Sequence, residues 1–148
     1  MELRIDDAHG DMDAVDLYDD LREDDMLEIL GLMHHPKDAV VMSYACSTKC
    51  YSVKDEKNNL YCSFGVAPIE GTNIGSAWLL GTRRLPTIKK FFLKHSKERM
   101  MDLMDGFDYL TNFVMKSNTL SYRWLKWLGA EFNDCQLHGY LSFILERK

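Results

Sequence analysis

Near the N-terminus Leu3 and Ile5 alternate with charged neighbours, which predicts a short strand over residues 2–6. Asp11 is then placed to cap a helix, with Asp13 and Asp16 at its positive end. Val15, Tyr18 and Leu21 follow at helical spacing, and Met26, Ile29, Leu30 and Met33 continue it. The pattern fits one long helix or two short ones broken near 23–25. Pro36 and Asp38 can open another helix through residues 39–44, although that run is equally β-prone. From Lys49 the period drops to two. Strands are expected over 50–53 and 60–68, joined by a hairpin turn at 55–59. A further turn at 71–75 leads into an apolar strand, 76–81, buried on both faces. Pro86 and Thr87 open a helix with Ile88, Phe91, Phe92, Met100, Leu103 and Met104 on one side, ended by Gly106. Residues 110–115 read as a second buried strand. Asn118 caps a short helix in which Ser121, Trp124, Leu125 and Leu128 recur at i, i+3, i+4, i+7, closed by Gly129. Strands at 131–132 and 139–145 complete the order β-α-α-β-β-β-α-β-α-β-β. This is an α/β chain, a mixed sheet with helices on both faces.

The length of 148 residues suits a single domain over 1–148, with an acidic helical N-terminal third, about 1–38. A hydrophobic share of 46% against 28% charged is that of a packed globular protein. The uncharged run 71–82, which no other exceeds, is too short to span a bilayer. No basic stretch precedes an apolar one, so no signal peptide is expected and the chain reads as soluble and intracellular. The four cysteines, Cys46, Cys50, Cys62 and Cys135, are expected to be free thiols, most of them buried. Cys46 and Cys50 lack the second pair or histidine cluster that a zinc site needs, so no metal is expected. His34 and His35, just before Pro36, suit a loop or capping role.

Charge is unevenly spread. Residues 1–38 carry 13 acidic and 3 basic side chains, while residues 83–104 carry 7 basic and 2 acidic. The intervening and final stretches balance. No whole-domain basic footprint exists, which argues against general nucleic-acid binding. The acidic block reads as solvated helix faces; its other reading is a docking face for a basic partner. Trp124 lies on the apolar stripe and is expected in the core. Trp127, off that stripe, is the interface candidate.

Two stretches carry a resemblance. One is Asn118-Thr-Leu-Ser-Tyr-Arg-Trp-Leu-Lys-Trp-Leu-Gly-Ala-Glu-Phe132. The other is Ala77-Trp-Leu-Leu-Gly-Thr82 followed by a basic helix with Phe92-Leu-Lys-His-Ser96. Together with the element order they resemble the GNAT N-acetyltransferases, and most closely the GNAT-like internal virion or core proteins of short-tailed bacteriophages. The resemblance implies a GNAT-like fold with splayed central strands and acetyl-CoA as the cofactor. It places Leu80, Gly81 and Thr82 along the pantetheine arm, and Arg83, Arg84 and Thr87 at the diphosphate. In the family that anion lies on free backbone N–H groups of a Gly-rich turn at a helix N-terminus. Here the turn is Gly81-Thr-Arg-Arg-Leu-Pro-Thr87, without a Gly-x-Gly pattern and with a proline that has no N–H. Lys89 and Lys90 add charge beside it. The alternative is a basic helix face packed near the acidic N-terminal third. The family's proton donor sits seven residues beyond the Asn, where this chain has Leu125. Tyr122, one turn earlier, and Asn118 are the catalytic candidates, and nothing separates Glu70, Asp55 and His9 as a base.

Three functions follow from the resemblance. The first is a phage GNAT-fold protein with a degenerate acetyl-CoA motif. It acts by contact with phage structural or host proteins, in the host cytoplasm during infection or packaged in the virion. The second is an acetyl-CoA-dependent N-acetyltransferase acting on a protein or a small amine. The third is a host-takeover protein that binds a basic host surface through its acidic third.

Overall fold

A computed structural model describes residues 1–147; Lys148, the last residue of the expected domain, lies outside them. Seven strands form one sheet in the order β1-β2-β3-β4-β5-β7-β6. The strands are β1 (Leu3–Asp7), β2 (Lys49–Asp55), β3 (Leu60–Pro68), β4 (Ile74–Gly81), β5 (Tyr109–Met115), β6 (Glu131–Asp134) and β7 (Tyr140–Glu146). The helices are α1 (Gly10–Asp19), α2 (Glu23–Gly31), α3 (Pro36–Cys46), α4 (Lys89–Leu103) and α5 (Thr119–Leu128), with a 3-10 turn, Leu85–Ile88, ahead of α4. All neighbouring strands are antiparallel except β4 and β5. Those two run parallel and pair only from Ile74↔Tyr109 to Ser76↔Thr111, beyond which they part.

The expected mixed sheet with splayed central strands and helices on both faces is found, with one element more. Residues 39–44, undecided by period, lie in α3. Pro36 stands at its first turn, and the His35 imidazole accepts from the Lys37 N–H, the capping role expected of this pair. The N-terminal helical stretch is two helices, and the break falls earlier than 23–25. It spans 20–22, where Leu21 forms an isolated antiparallel bridge with Thr82. At the start of α1 the cap position is His9 rather than Asp11, and Asp13 Oδ2 accepts from the His9 N–H.

Alternation along β3 divides the core. Cys62, Phe64 and Val66 face α4 and α5, where Phe64, Phe92 and Trp124 meet edge-on or tilted at 5.3–5.9 Å. A second cluster, with Leu17, Leu21, Ile29, Val40 and Tyr44, fills the other side beneath α1, α2 and α3. Between the helices and the sheet on that side runs a buried polar chain. Tyr44 Oη donates to Ser63 Oγ, Ser63 and Ser52 share a bond, and Ser52 Oγ donates to Asp13, whose other oxygen lies 2.7 Å from Lys54 Nζ.

The apolar period of α1 and α2 misleads. Asp13 and Asp25 are fully buried, while Val15, Tyr18, Met26, Leu30 and Met33 are exposed. The cysteines are unpaired, but only Cys62 is buried, and Cys46 is exposed. The basic helix α4 lies across the sheet from the acidic helices α1 and α2, and ahead of it Arg83 reaches Asp20, its Nε 3.5 Å from Oδ1. Among the described residues no helix is long and apolar enough to cross a membrane, and no side-chain cluster could hold a metal ion.

Candidate active-site cleft

Where β4 and β5 part, a cleft of about 300 Å³ opens, lined by Glu28, Trp78, Leu79, Asn112, Ser121 and Leu125 among others. The hydrogen-bond phase of β4 decides which backbone groups face it. The Thr82 N–H goes to Tyr61 on β3, so the N–H groups of Ala77, Leu79 and Gly81 point to the opposite edge, toward the cleft. Two of these three positions are engaged by the protein itself. Asn112 Nδ2 donates to the Ala77 carbonyl, and the Gly81 N–H donates to Asp25 Oδ2 at 2.8 Å. Leu79 between them keeps its main chain toward the cleft. Ser121 Oγ, on α5, is buried there without a partner among the described residues.

The N-terminus of α2 holds the outer end of the cleft. The Arg22 N–H donates to the Gly81 carbonyl, and the Arg83 N–H donates to the Asp20 carbonyl. The Arg22 guanidinium donates to both oxygens of Asp25, from Nε at 3.2 Å and from Nη2 at 3.0 Å, and to Asn118 Oδ1 at 2.7 Å. Asn118 Nδ2 donates to Asp25 and to Glu28, and Glu28 Oε2 also accepts from the Met115 N–H at the end of β5. One buried network therefore ties α2 to the ends of both splayed strands. Burial raises the Glu28 carboxyl to about 7, against the Met115 and Asn118 bonds that favour its charged form. Burial also raises Asp25, with Arg22 and the Gly81 N–H opposing it.

The predicted site residues come apart on this geometry. Leu80 is buried beside Leu17 and Leu21. Gly81 makes room for the protein, not for a ligand: a Cβ there would meet Leu85 Cδ2 at 2.6 Å. Thr82 is buried, and its hydroxyl donates to the Leu60 and Tyr61 carbonyls. Arg83, Arg84 and Thr87 are exposed, and Thr87 Oγ1 donates to the Arg84 carbonyl. Asn118 occupies the cap position of α5, but its side chain makes no cap bond and serves the Arg22–Asp25–Glu28 network instead. Tyr122 stacks on Phe132, ring centroids 4.5 Å apart, and is not among the residues that line the cleft, whereas Leu125 is. Trp124 is buried as expected, its Nε1 donating to Ser96 Oγ, and Trp127 is 54% exposed. Arg22, Asp25 and Glu28 were not predicted. Their only signal is an acidic run, which reads as a solvated face.

Coenzyme A, which this fold implies, can be tested against the turn that would hold its diphosphate. From Gly81 to Thr87 every N–H has a partner within the chain. Gly81 donates to Asp25, Thr82 to the Tyr61 carbonyl and Arg83 to the Asp20 carbonyl. Arg84 donates to Thr82 Oγ1, Leu85 to the Thr82 carbonyl and Thr87 to the Arg84 carbonyl, and Pro86 has no N–H. A diphosphate needs such donors free and converging. This turn, as folded, does not fit it.

No family model matches the chain, and no curated protein matches it. Solved structures do. A GCN5-related N-acetyltransferase from Kribbella flavida is similar over 98% of both chains at 15% identity, TM-score 0.67. PaiA N-acetyltransferase from Thermoplasma acidophilum, in complex with coenzyme A, is similar over 99% of this chain and 100% of its own, at 13% identity and TM-score 0.65. AAC(6')-Ib, in complex with ribostamycin and coenzyme A, is similar over 99% and 94%, at 13% identity and TM-score 0.67. At these identities the likeness establishes the GNAT fold and leaves activity to the residues of the cleft.

Proposed function

We propose that this chain is a GNAT-fold protein that has turned its diphosphate turn inward and works by contact with other proteins. Its place would be in the assembly or the interior of a short-tailed phage particle. The phage setting rests on the sequence resemblance. The mode of action rests on one observation, the occupation of every donor from Gly81 to Thr87 by the chain's own Asp20, Tyr61, Thr82, Arg84 and Asp25.

The fold likeness taken alone favours an acetyl-CoA-dependent N-acetyltransferase, and two features of the cleft support that second reading. It is open beside the Leu79 main chain, and Glu28 at its wall has a carboxyl brought to about 7, where a proton acceptor for an amine works best. The Arg22–Asp25 closure and the apolar Leu125 place it second.

Calorimetric titration with acetyl-CoA separates the two. No heat up to millimolar ligand, and no change in melting temperature, is the expected result. A ligand at 100 times its dissociation constant would add about 2.7 kcal/mol of stability, a shift too large to miss. Saturable binding that Arg84→Ala weakens would overturn the proposal and restore the enzyme.

A further inference from the structure

We propose that the outer face of α1 and α3 is a docking site for the α4–α5 face of a second copy, so that copies associate head to tail. This rests on the reading above, that the chain acts by protein contact, and names one such contact.

The acidic side carries apolar residues that the fold does not bury. On α1 the inward positions are Asp13 and Leu17, and Met12 and Val15 are left 67% and 59% exposed. Ala14, Val15 and Tyr18 of α1 and Val41 and Ala45 of α3 line a groove of about 420 Å³, with Asp11, Asp19 and one cation, Lys37, on its rim, the Lys37 Nζ 6.0 Å from the Tyr18 ring centroid. Asp16 is exposed on the same helix. An apolar groove within the chain's most acidic third fits a partner with an apolar centre and a cationic border.

The opposite side of the sheet has that composition. Trp127 on α5 is held at one point, its Nε1 donating to the Leu93 carbonyl at 3.0 Å, with Lys97 Nζ 5.7 Å from the ring centroid. Lys89, Lys90, Lys94 and Lys97 on α4 and Arg123 and Lys126 on α5 are exposed on the same two helices, against Glu98 and Asp102 as the exposed acids of α4, and none of these six cations is in an ion pair among the described residues. A fixed, half-exposed Trp loses little freedom when covered, the property of a residue that anchors an interface. Acidic groups thus predominate on one face and cations on the other. Because they lie on opposite faces of one sheet, the contact uses different surfaces of the two copies, and each dimer keeps one groove and one Trp127 face free for a further copy.

Sedimentation velocity on the full chain tests this. In about 0.02 M salt the mass should rise with protein concentration, and in about 0.5 M salt it should fall to that of the monomer. Val15→Lys, which adds a second cation beside Lys37 and replaces an apolar wall of the groove, and Trp127→Ala should each weaken association at least about tenfold. Both change exposed positions, and circular dichroism checks that they fold. The discriminating step is to mix them. Val15→Lys keeps an intact Trp127 face and Trp127→Ala an intact groove, so together they should form a dimer and nothing larger. A wild-type chain that stays monomeric in low salt overturns the proposal, as does association indifferent to salt or a mixture that fails to dimerise. A monomer that instead binds a synthetic Leu/Lys amphipathic helix gives the groove to another protein's basic segment, and also overturns it. A monomer that binds no acetyl-CoA sinks this proposal alone; a chain that binds acetyl-CoA sinks the reading it rests on.

Discussion

Glu28 sits where two donors favour a charge and burial opposes one. Burial wins, and the carboxyl rises to about 7 from 4.5. The folded chain therefore keeps a proton that the unfolded chain has released. Stability from that proton is complete below about pH 4.5 and gone once the pH has risen past 7. Glu28→Gln keeps an oxygen for the Met115 and Asn118 donors and removes the titration. Its melting temperature should change less than the wild type's between about pH 5 and about pH 8, with the variant the more stable at the upper end. Asp25→Ala is the harsher change. It strips the buried Arg22 guanidinium of its buried carboxylate, leaving it Asn118 and the partly exposed Asp24, and should cost about 3 kcal/mol, read as a lowered thermal midpoint. Tyr122→Phe, outside the network, should move stability by less than about 0.5 kcal/mol. Of the network, Arg22, Asp25 and Glu28 were not legible in the sequence, and Asn118 was read as a helix cap and catalytic candidate rather than as their partner. A carboxylate that faces water and one that clamps a strand end are written with the same letter, and here the buried ones fall in the most acidic stretch of the chain. Leu125, by contrast, lies on the buried stripe of α5 as expected and lines the cleft.

Among the elements, α5 was the most legible. Its four apolar-stripe positions, Ser121, Trp124, Leu125 and Leu128, are all buried, and Gly129 ends it in the left-handed region at φ 100°. A side chain there is strained, so Gly129→Ala should lower stability by about 1 kcal/mol, seen as a lower denaturant midpoint with an unchanged slope. The N-terminal helices were the least legible. Their periodicity places Val15, Tyr18, Met26 and Leu30 inward, but the chain buries Asp13 and Asp25 because Lys54, Ser52 and Arg22 are there to receive them. Partners from β2, Ser52 being 39 residues further along the chain than Asp13, decide which face of α1 turns in. No local window contains that information. The break between α1 and α2 has the same origin, since Leu21 leaves the helix to bridge Thr82.

At the scale of the whole molecule, element order and the two sequence stretches were enough to reach the GNAT fold, because that order admits few sheet topologies. What they did not reach is how the N-terminal segment uses the fold. Residues 20–25 lie across the end of β4 and take up the backbone groups through which a cofactor would be held. The charge that segment concentrates lies on one side of the sheet, and the lysines of α4 lie on the other. The turn that ends β4 thus has its donors taken up by the chain, while the cleft beside Leu79 stays open. The most direct test of the closure is amide hydrogen exchange by NMR at Gly81, Arg83 and Leu85, with and without coenzyme A. Occupied donors predict three protected amides whose shifts and exchange rates the ligand leaves unchanged. Fast exchange at Gly81 and Arg83, or shifts that move in proportion to added coenzyme A, would show the turn open to a diphosphate and contradict the account.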